Sequence, residues 1–229
     1  MASNNGHGPM PAPDDEEEEE FEMEIRELEP DEVESAADML TRAFADGPLM
    51  QVLAPDEATR LDICRWFFEA QLCYGLLYGD AWAAVEDDGT VQGVAIWWAP
   101  ENVEPDDERA SESGLADGPT IVGPEGWERL QELSRAMATL HKQVAPDPHW
   151  YLSIIGVEPE MHGQGVGGEI LAASLEFVDD EGYPTYLETA VERNVAFYQR
   201  YGYVVAGEIS VPSLGITLWG MRREAPEAS

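Results

Sequence analysis

The chain has 229 residues, 44% of them apolar, enough to bury a sizeable core without disulfides or metal. Its formal net charge of −35, from 47 acidic and 12 basic side chains, argues against binding nucleic acid or an anionic membrane through bulk field. No long apolar stretch and no basic-then-apolar leader is present, so neither a membrane span nor a signal peptide is expected, and Cys64 and Cys73 read as reduced core thiols of a cytoplasmic protein.

Residues 1–20 hold seven acids, Asp14 to Glu20, and read as a disordered acidic tail. With those seven taken from −35, the rest of the chain still carries −28. Lys142 is the one lysine beside eleven arginines, and this balance reads as a surface adapted to high salt, where like-charge repulsion is screened. Residues 22–28 alternate as a first strand. Pro30 and Asp31 open a helix with Val33, Ala36, Ala37 and Leu40 on one face. Leu61 to Tyr78 is a second, strongly apolar helix. Ala81 to Val85 and Thr90 to Trp98 flank Asp88-Gly89, a two-residue hairpin signal. Residues 99–122, rich in Pro, Gly, Ser and acid, read as a long loop. Trp127, Leu130, Leu133, Met137, Leu140 and Val144 recur at helical spacing until Pro146.

Trp150 to Val157 is an apolar run suited to a central strand. A glycine loop follows, then a helix with Ile170, Leu171, Leu175 and Val178 on its stripe, closed by Gly182. Thr185 to Thr189 is a short strand and Arg193 to Tyr201 a short helix closed by Gly202. Tyr203 to Val211 and Leu214 to Met221 form a final antiparallel pair around Pro212-Ser213. The order β-α-α-β-β-α-β-α-β-α-β-β is a mixed α/β chain.

The loop Gly163-Gln164-Gly165-Val166-Gly167-Gly168 sits between strand and helix, where unpaired amides and the helix dipole suit a phosphate. Gly163, Gly165 and Gly168 satisfy the dinucleotide fingerprint, and Glu188 stands 20 residues on, where a ribose-binding acid would sit. Against that reading, Glu158 to His162 separate the strand from the first glycine, and about sixty residues remain, too few for a doubly wound sheet. No Gly-Lys-Ser/Thr follows, so a P-loop is excluded. A glycine-rich connection without a ligand and a pyrophosphate cradle remain.

Three pieces in order decide between them: Ser153 to Pro159, His162 to Gly167, and Asn194 to Tyr203. Together they resemble the GNAT superfamily of N-acetyltransferases, whose pattern is Arg/Gln-x-x-Gly-x-Gly/Ala after a V-x-P strand end and before an N-x-x-x-Y-x-x-x-G-F/Y helix. His162 stands where that pattern has Arg or Gln. Ala43 to Pro48, Val94 to Glu101, Leu187 to Thr189 and Trp219 to Arg222 are similar to the puromycin N-acetyltransferase branch. The resemblance implies a GNAT fold over residues 21–224: a central, mostly antiparallel twisted sheet of about seven strands with a splayed central pair, flanked by helices. Residues 225–229 are then a flexible C-terminus.

The resemblance also implies acetyl-CoA as cosubstrate, no metal, and direct transfer to a small primary amine. It allows a monomer or homodimer. A protein or peptide acceptor and a non-catalytic CoA-binding module are the alternatives. Pantetheine would pair with the main chain of Ile155, Gly156 and Val157, the Val157 amide serving as an oxyanion donor. His162, Gly163, Gln164, Gly165, Val166, Gly167 and Gly168 would hold the pyrophosphate, with Arg193 or Arg200 adding charge. Asn194 would bond the pantetheine arm. Tyr198, which shares a helix face with Asn194, would be the general acid. Glu188 is expected to act as base, directly or through water, and Trp97, Trp98 and Trp66 either line the acceptor pocket or pack the core.

Overall fold

A computed structural model of the protein describes residues 23–226; the tail 1–20, the start of the first expected strand and residues 227–229 lie outside them. Seven strands form one sheet: β1 (Glu24–Glu27), β2 (Gly79–Val85), β3 (Val91–Trp98), β4 (Trp150–Val157), β5 (Thr185–Thr189), β6 (Val204–Val211) and β7 (Ile216–Arg223). Their order is β1-β2-β3-β4-β5-β7-β6, with β4 and β5 as the parallel pair and every other pair antiparallel. This is the mixed architecture expected from the sequence.

Eight helices surround the sheet: α1 (Val33–Phe44), α2 (Pro48–Leu53), α3 (Glu57–Tyr78), α4 (Asp107–Ser113), α5 (Gly118–Ile121), α6 (Gly123–Val144), α7 (Val166–Asp180) and α8 (Glu192–Gln199). One core lies under α1, α3 and α6 and includes Leu40, Phe68, Ile96, Leu140 and Tyr186. The other lies under α7 and α8 and includes Trp97, Ile170, Leu171, Leu187 and Tyr198. Helix α6 approaches β6 and β7 closely because Gly207 and Gly220 face it: a Cβ at either would meet the Leu140 side chain at 2.9–3.0 Å.

Two expectations are corrected, and one helix is added to them. Residues 99–122 are not a long loop but carry α4, α5 and a short 3-10 turn at Leu115–Asp117. The cap signals were present: the Asp106 carboxylate accepts the Arg109 amide at 2.9 Å, and Gly114 ends α4 at φ +87°. Helix α2, with Pro48 in its first turn, was not anticipated. The β2–β3 turn has three residues, 87–89, because the Glu86 amide bonds the Thr90 carbonyl at 3.0 Å and Gly89 takes φ +87°.

Two features of β4 position the site. First, β4 and β5 pair only at Trp150↔Thr185 and Tyr151↔Tyr186. Second, β4 pairs Ile154 with Ile96 but Leu152 with Trp97, so Ser153 is a bulged extra residue. A bulge bends its strand and sharpens the twist. Placed just beyond the last β4–β5 rung, it turns β4 away from β5 and opens a cleft in the sheet. The Ser153 hydroxyl is anchored to the Gln71 side-chain oxygen at 2.9 Å.

Candidate active site at the strand split

Beyond the bulge, one edge of β4 is spoken for and the other is open. The Glu158 amide donates to the Gln92 carbonyl at 2.8 Å, which makes Gln92–Glu158 a hydrogen-bonded position of the β3–β4 ladder. Antiparallel alternation then turns the polar groups of Gly156 and Ile154 toward β3 and those of Val157 and Ile155 toward the open edge. Of the three residues expected to offer main chain there, Gly156 therefore contributes differently. It lacks a side chain where α1 packs, and a Cβ would lie 2.5 Å from the Phe44 ring and 2.6 Å from Leu40. At the end of the edge, the His162 ring nitrogen lies 3.1 Å from the Val157 carbonyl and must donate to it as N–H.

The glycine loop forms the floor of the cleft mouth. Gly163 and Gly165 have φ of +84° and +97°, a conformation open to glycine, and they tip the chain into α7. Among the described residues the amides of Gly163, Gly165, Val166 and Gly167 donate to no carbonyl. They cluster at the N-terminus of a 15-residue helix, a site for an anion. Gln164 instead folds back, its side-chain nitrogen donating to the Glu160 carbonyl at 3.1 Å. Gly168 lies against the turn that follows α8: a Cβ there would run into the Tyr201 hydroxyl. Arg42 neutralises Glu158 beside the loop with a 2.7 Å ion pair.

Helix α8 presents Asn194 and Tyr198 on one face. Tyr198 is 7% exposed, and burial pushes its hydroxyl well above the ordinary phenol range. Among the described residues, neither its hydroxyl nor the Asn194 side chain hydrogen-bonds a side chain or carbonyl, while the Asn194 backbone N–H donates to the Val191 carbonyl at 2.9 Å. Arg193 and Arg200 are exposed with no carboxylate at ion-pair distance among the described residues; Arg200 lies 5.4 Å over the Phe197 ring.

Glu188 sits on β5 two residues past the last β4–β5 rung, on the face toward α6. The Tyr151 hydroxyl donates to one carboxylate oxygen at 2.7 Å and the Tyr186 hydroxyl to the other at 2.9 Å. Burial raises the Glu188 pKa to about 7, and the two phenol hydrogen bonds pull the other way. Glu188 and Tyr198 thus lie on opposite faces of the sheet, flanking one opening.

Sequence reasoning did not foresee Tyr151 or the histidines behind it. His149 is 3% exposed and paired with His141 at 2.5 Å. Its other ring nitrogen lies 2.6 Å from the Asp147 carbonyl and must donate there, so its Nε2 accepts from His141. His141 stacks on Tyr186, ring centres 4.5 Å apart. The alternation of Tyr186 and Glu188 was readable; Tyr151 and His141 needed the register. The expected acceptor tryptophans scatter: Trp97 is fully buried in the α7-side core, Trp66 bonds the Gly114 carbonyl at 3.2 Å, and Trp98 packs edge-on to Tyr151 at 5.4 Å.

Among the described residues no group of three metal-ligating side chains converges, and no helix is long and apolar enough to cross a membrane.

Residues 53–203 match the family model described as Acetyltransferase (GNAT) family. An uncharacterised N-acetyltransferase of Schizosaccharomyces pombe is 26% identical over 186 residues, 78% of this chain and 73% of its own length. A Corynebacterium glutamicum protein called histone acetyltransferase HPA2 and related acetyltransferase shares the fold, with TM-score 0.65, 22% identity, and coverage of 90% of this chain and 98% of its own. Arylalkylamine N-acetyltransferase 2 of Aedes aegypti does so with TM-score 0.62, 16% identity, and coverage of 89% and 99%.

Proposed function

The chain belongs to the GNAT acetyltransferase family, whose members take the acetyl group from acetyl-CoA, and from that premise we propose that it acetylates the primary amine of a small molecule by direct transfer. The observation that carries this reading is Glu188, half-buried and clamped between two phenols at the strand split with a pKa lifted to about 7, where a general base works best near neutral pH.

The residues fit the cosubstrate. The open edge at Ile155 and Val157 offers main-chain partners for pantetheine, with the Val157 carbonyl already met by His162. The free amides of Gly163, Gly165, Val166 and Gly167 suit the pyrophosphate, and Asn194 the pantetheine arm. Such local dipoles let a chain of −35 hold a polyanion that its overall field repels. When bound, acetyl-CoA supplies a thioester that an amine can cleave, leaving a thiolate. Glu188 takes the proton that the incoming ammonium must lose. The Val157 N–H stands on the edge where it would donate to the acyl oxygen. Tyr198 keeps its proton at neutral pH and gives it to the departing sulfur.

A small acceptor, rather than a peptide, is supported by the aromatic walls beside Glu188: Tyr151 and Tyr186, which bind its carboxylate, and Trp98, which packs on Tyr151, are all buried. The likeness to the puromycin branch, carried by Ala43 to Pro48 and Val94 to Glu101, adds aminonucleosides to the acceptors worth trying. The test is a thiol-release screen with acetyl-CoA across aminonucleosides, polyamines, amino acids and peptides at molar KCl. Turnover confined to the small amines is expected; turnover confined to peptides would overturn the small-molecule reading.

A further inference from the structure

We propose that Tyr151 and Tyr186 are positioning residues that hold Glu188 as a carboxylate and aim it into the cleft between β4 and β5. The proposal rests on the reading of Glu188 as general base and assigns roles to two residues outside it. Both phenols donate, one to each carboxylate oxygen, at 2.7 and 2.9 Å. An ionised carboxylate accepts from both phenols at once, whereas in the protonated form the phenol facing the O–H must turn from donor to acceptor. The clamp therefore favours the charged form.

Its placement explains why it takes two strands. Tyr151 and Tyr186 occupy the last β4–β5 rung, with rings stacked at 5.8 Å and 29°. Glu188 follows Tyr186 by two residues and so shares its face, but β4 has already turned away at Ser153. Tyr151 reaches across the start of the split from the departing strand. A carboxylate tied to both sides of an opening cannot swing with either strand alone.

The other groups around the clamp do not compete with it. From α6, His141 stacks on Tyr186 and lies 5.1 Å from Tyr151, but burial and nearby His149 lower its pKa to about 4, so it is neutral near pH 7. His149 is lowered by burial as well. From β7, Gly220 stands opposite Glu188 and brings no charge, while Arg222 pairs with Glu224 at 2.8 Å. From α8, Tyr198 keeps its proton. From β3, Trp98 is uncharged.

The test is a ligand-free titration of the full chain labelled with carboxyl carbon-13 in glutamate, the Glu188 signal being the one missing in Glu188→Gln. Its midpoint should rise by about one pH unit in Tyr151→Phe and in Tyr186→Phe, and further in the double variant, since each change removes one hydrogen bond to the charge. An unmoved midpoint, or a fall toward the ordinary carboxylate range, would mean the phenols only pack, and would overturn the proposal. If one phenylalanine variant fails to fold, the other carries the same expectation. Turnover separates this from the reading beneath it. Full activity in Glu188→Gln, on any amine found by the thiol-release screen, would overturn the general base and the positioning role together. An inactive Glu188→Gln with unmoved midpoints in the tyrosine variants would overturn the positioning role alone.

Discussion

Tyr198 and Glu188 are poised by the same force acting on opposite chemistry. Burial disfavours charge, so it keeps the phenol protonated as a donor and lifts the carboxyl to about 7 as an acceptor. Tyr198→Phe should lower thiol release about 100-fold or more while leaving the near-ultraviolet circular dichroism of the fold unchanged. Glu188 has a cost in stability. A folded-state pKa above the unfolded value means that the native state holds the extra proton between pH 4.5 and about 7, so its contribution is present at low pH and lost as pH rises through 7. Glu188→Gln should therefore be inactive yet more stable than the parent at pH 8, by about 3 kcal/mol in denaturant titrations, with the difference shrinking toward pH 5. Of the proposed site, Tyr198 and Asn194 were suggested by the motif and Glu188 by alternation. Tyr151 was not, because its role depends on which strand lies beside β5.

At the level of elements, β4 does the most with the fewest residues. Its bulge opens the cleft, its far edge stays unpaired, and Gly156 lets α1 sit against it. Gly156→Ala would push a methyl into Phe44 and Leu40, and the expected loss is about 1–3 kcal/mol, read as a lower urea midpoint. An unchanged midpoint would show that α1 yields freely there. The seven strands and the long helices were legible because their apolar periods extend over many residues. Helices α2, α4 and α5 were not. They have four to seven residues each, too short to declare themselves by period, and the segment entering α4 and the residue capping it are tied down from outside: the Asn102 side chain donates to the Tyr78 carbonyl at 2.9 Å, the Tyr74 hydroxyl donates to the Asn102 carbonyl at 2.6 Å, and the Trp66 indole N–H donates to the Gly114 carbonyl at 3.2 Å. Those partners lie on α3, more than twenty residues upstream.

Across the whole molecule, acid outnumbers base so heavily that arginine is mostly committed to pairing. Arg26, Arg42, Arg60, Arg65, Arg109, Arg222 and Arg223 each contact a carboxylate, and Arg223 grips Asp179 with its two terminal guanidinium nitrogens at 2.5 and 2.7 Å. The unpaired excess repels itself, and screening relieves it: the Debye length falls to about 3 Å at molar salt. The melting temperature and the affinity for acetyl-CoA should both rise between 50 mM and 2 M KCl; equal values at both would show that the surface is not salt-adapted. The two-rung junction between β4 and β5 has a mechanical meaning as well. Strands β1 to β4 form one half-sheet and β5 to β7 another, and among the described residues the backbone ladder between them is the shortest strand seam. Amides bordering that seam should exchange with solvent before those of the broad β2–β3–β4 ladder. A molecule laid along the free edge of β4 would act as a mending strand, so that occupancy of the cleft is written directly into the cohesion of the sheet.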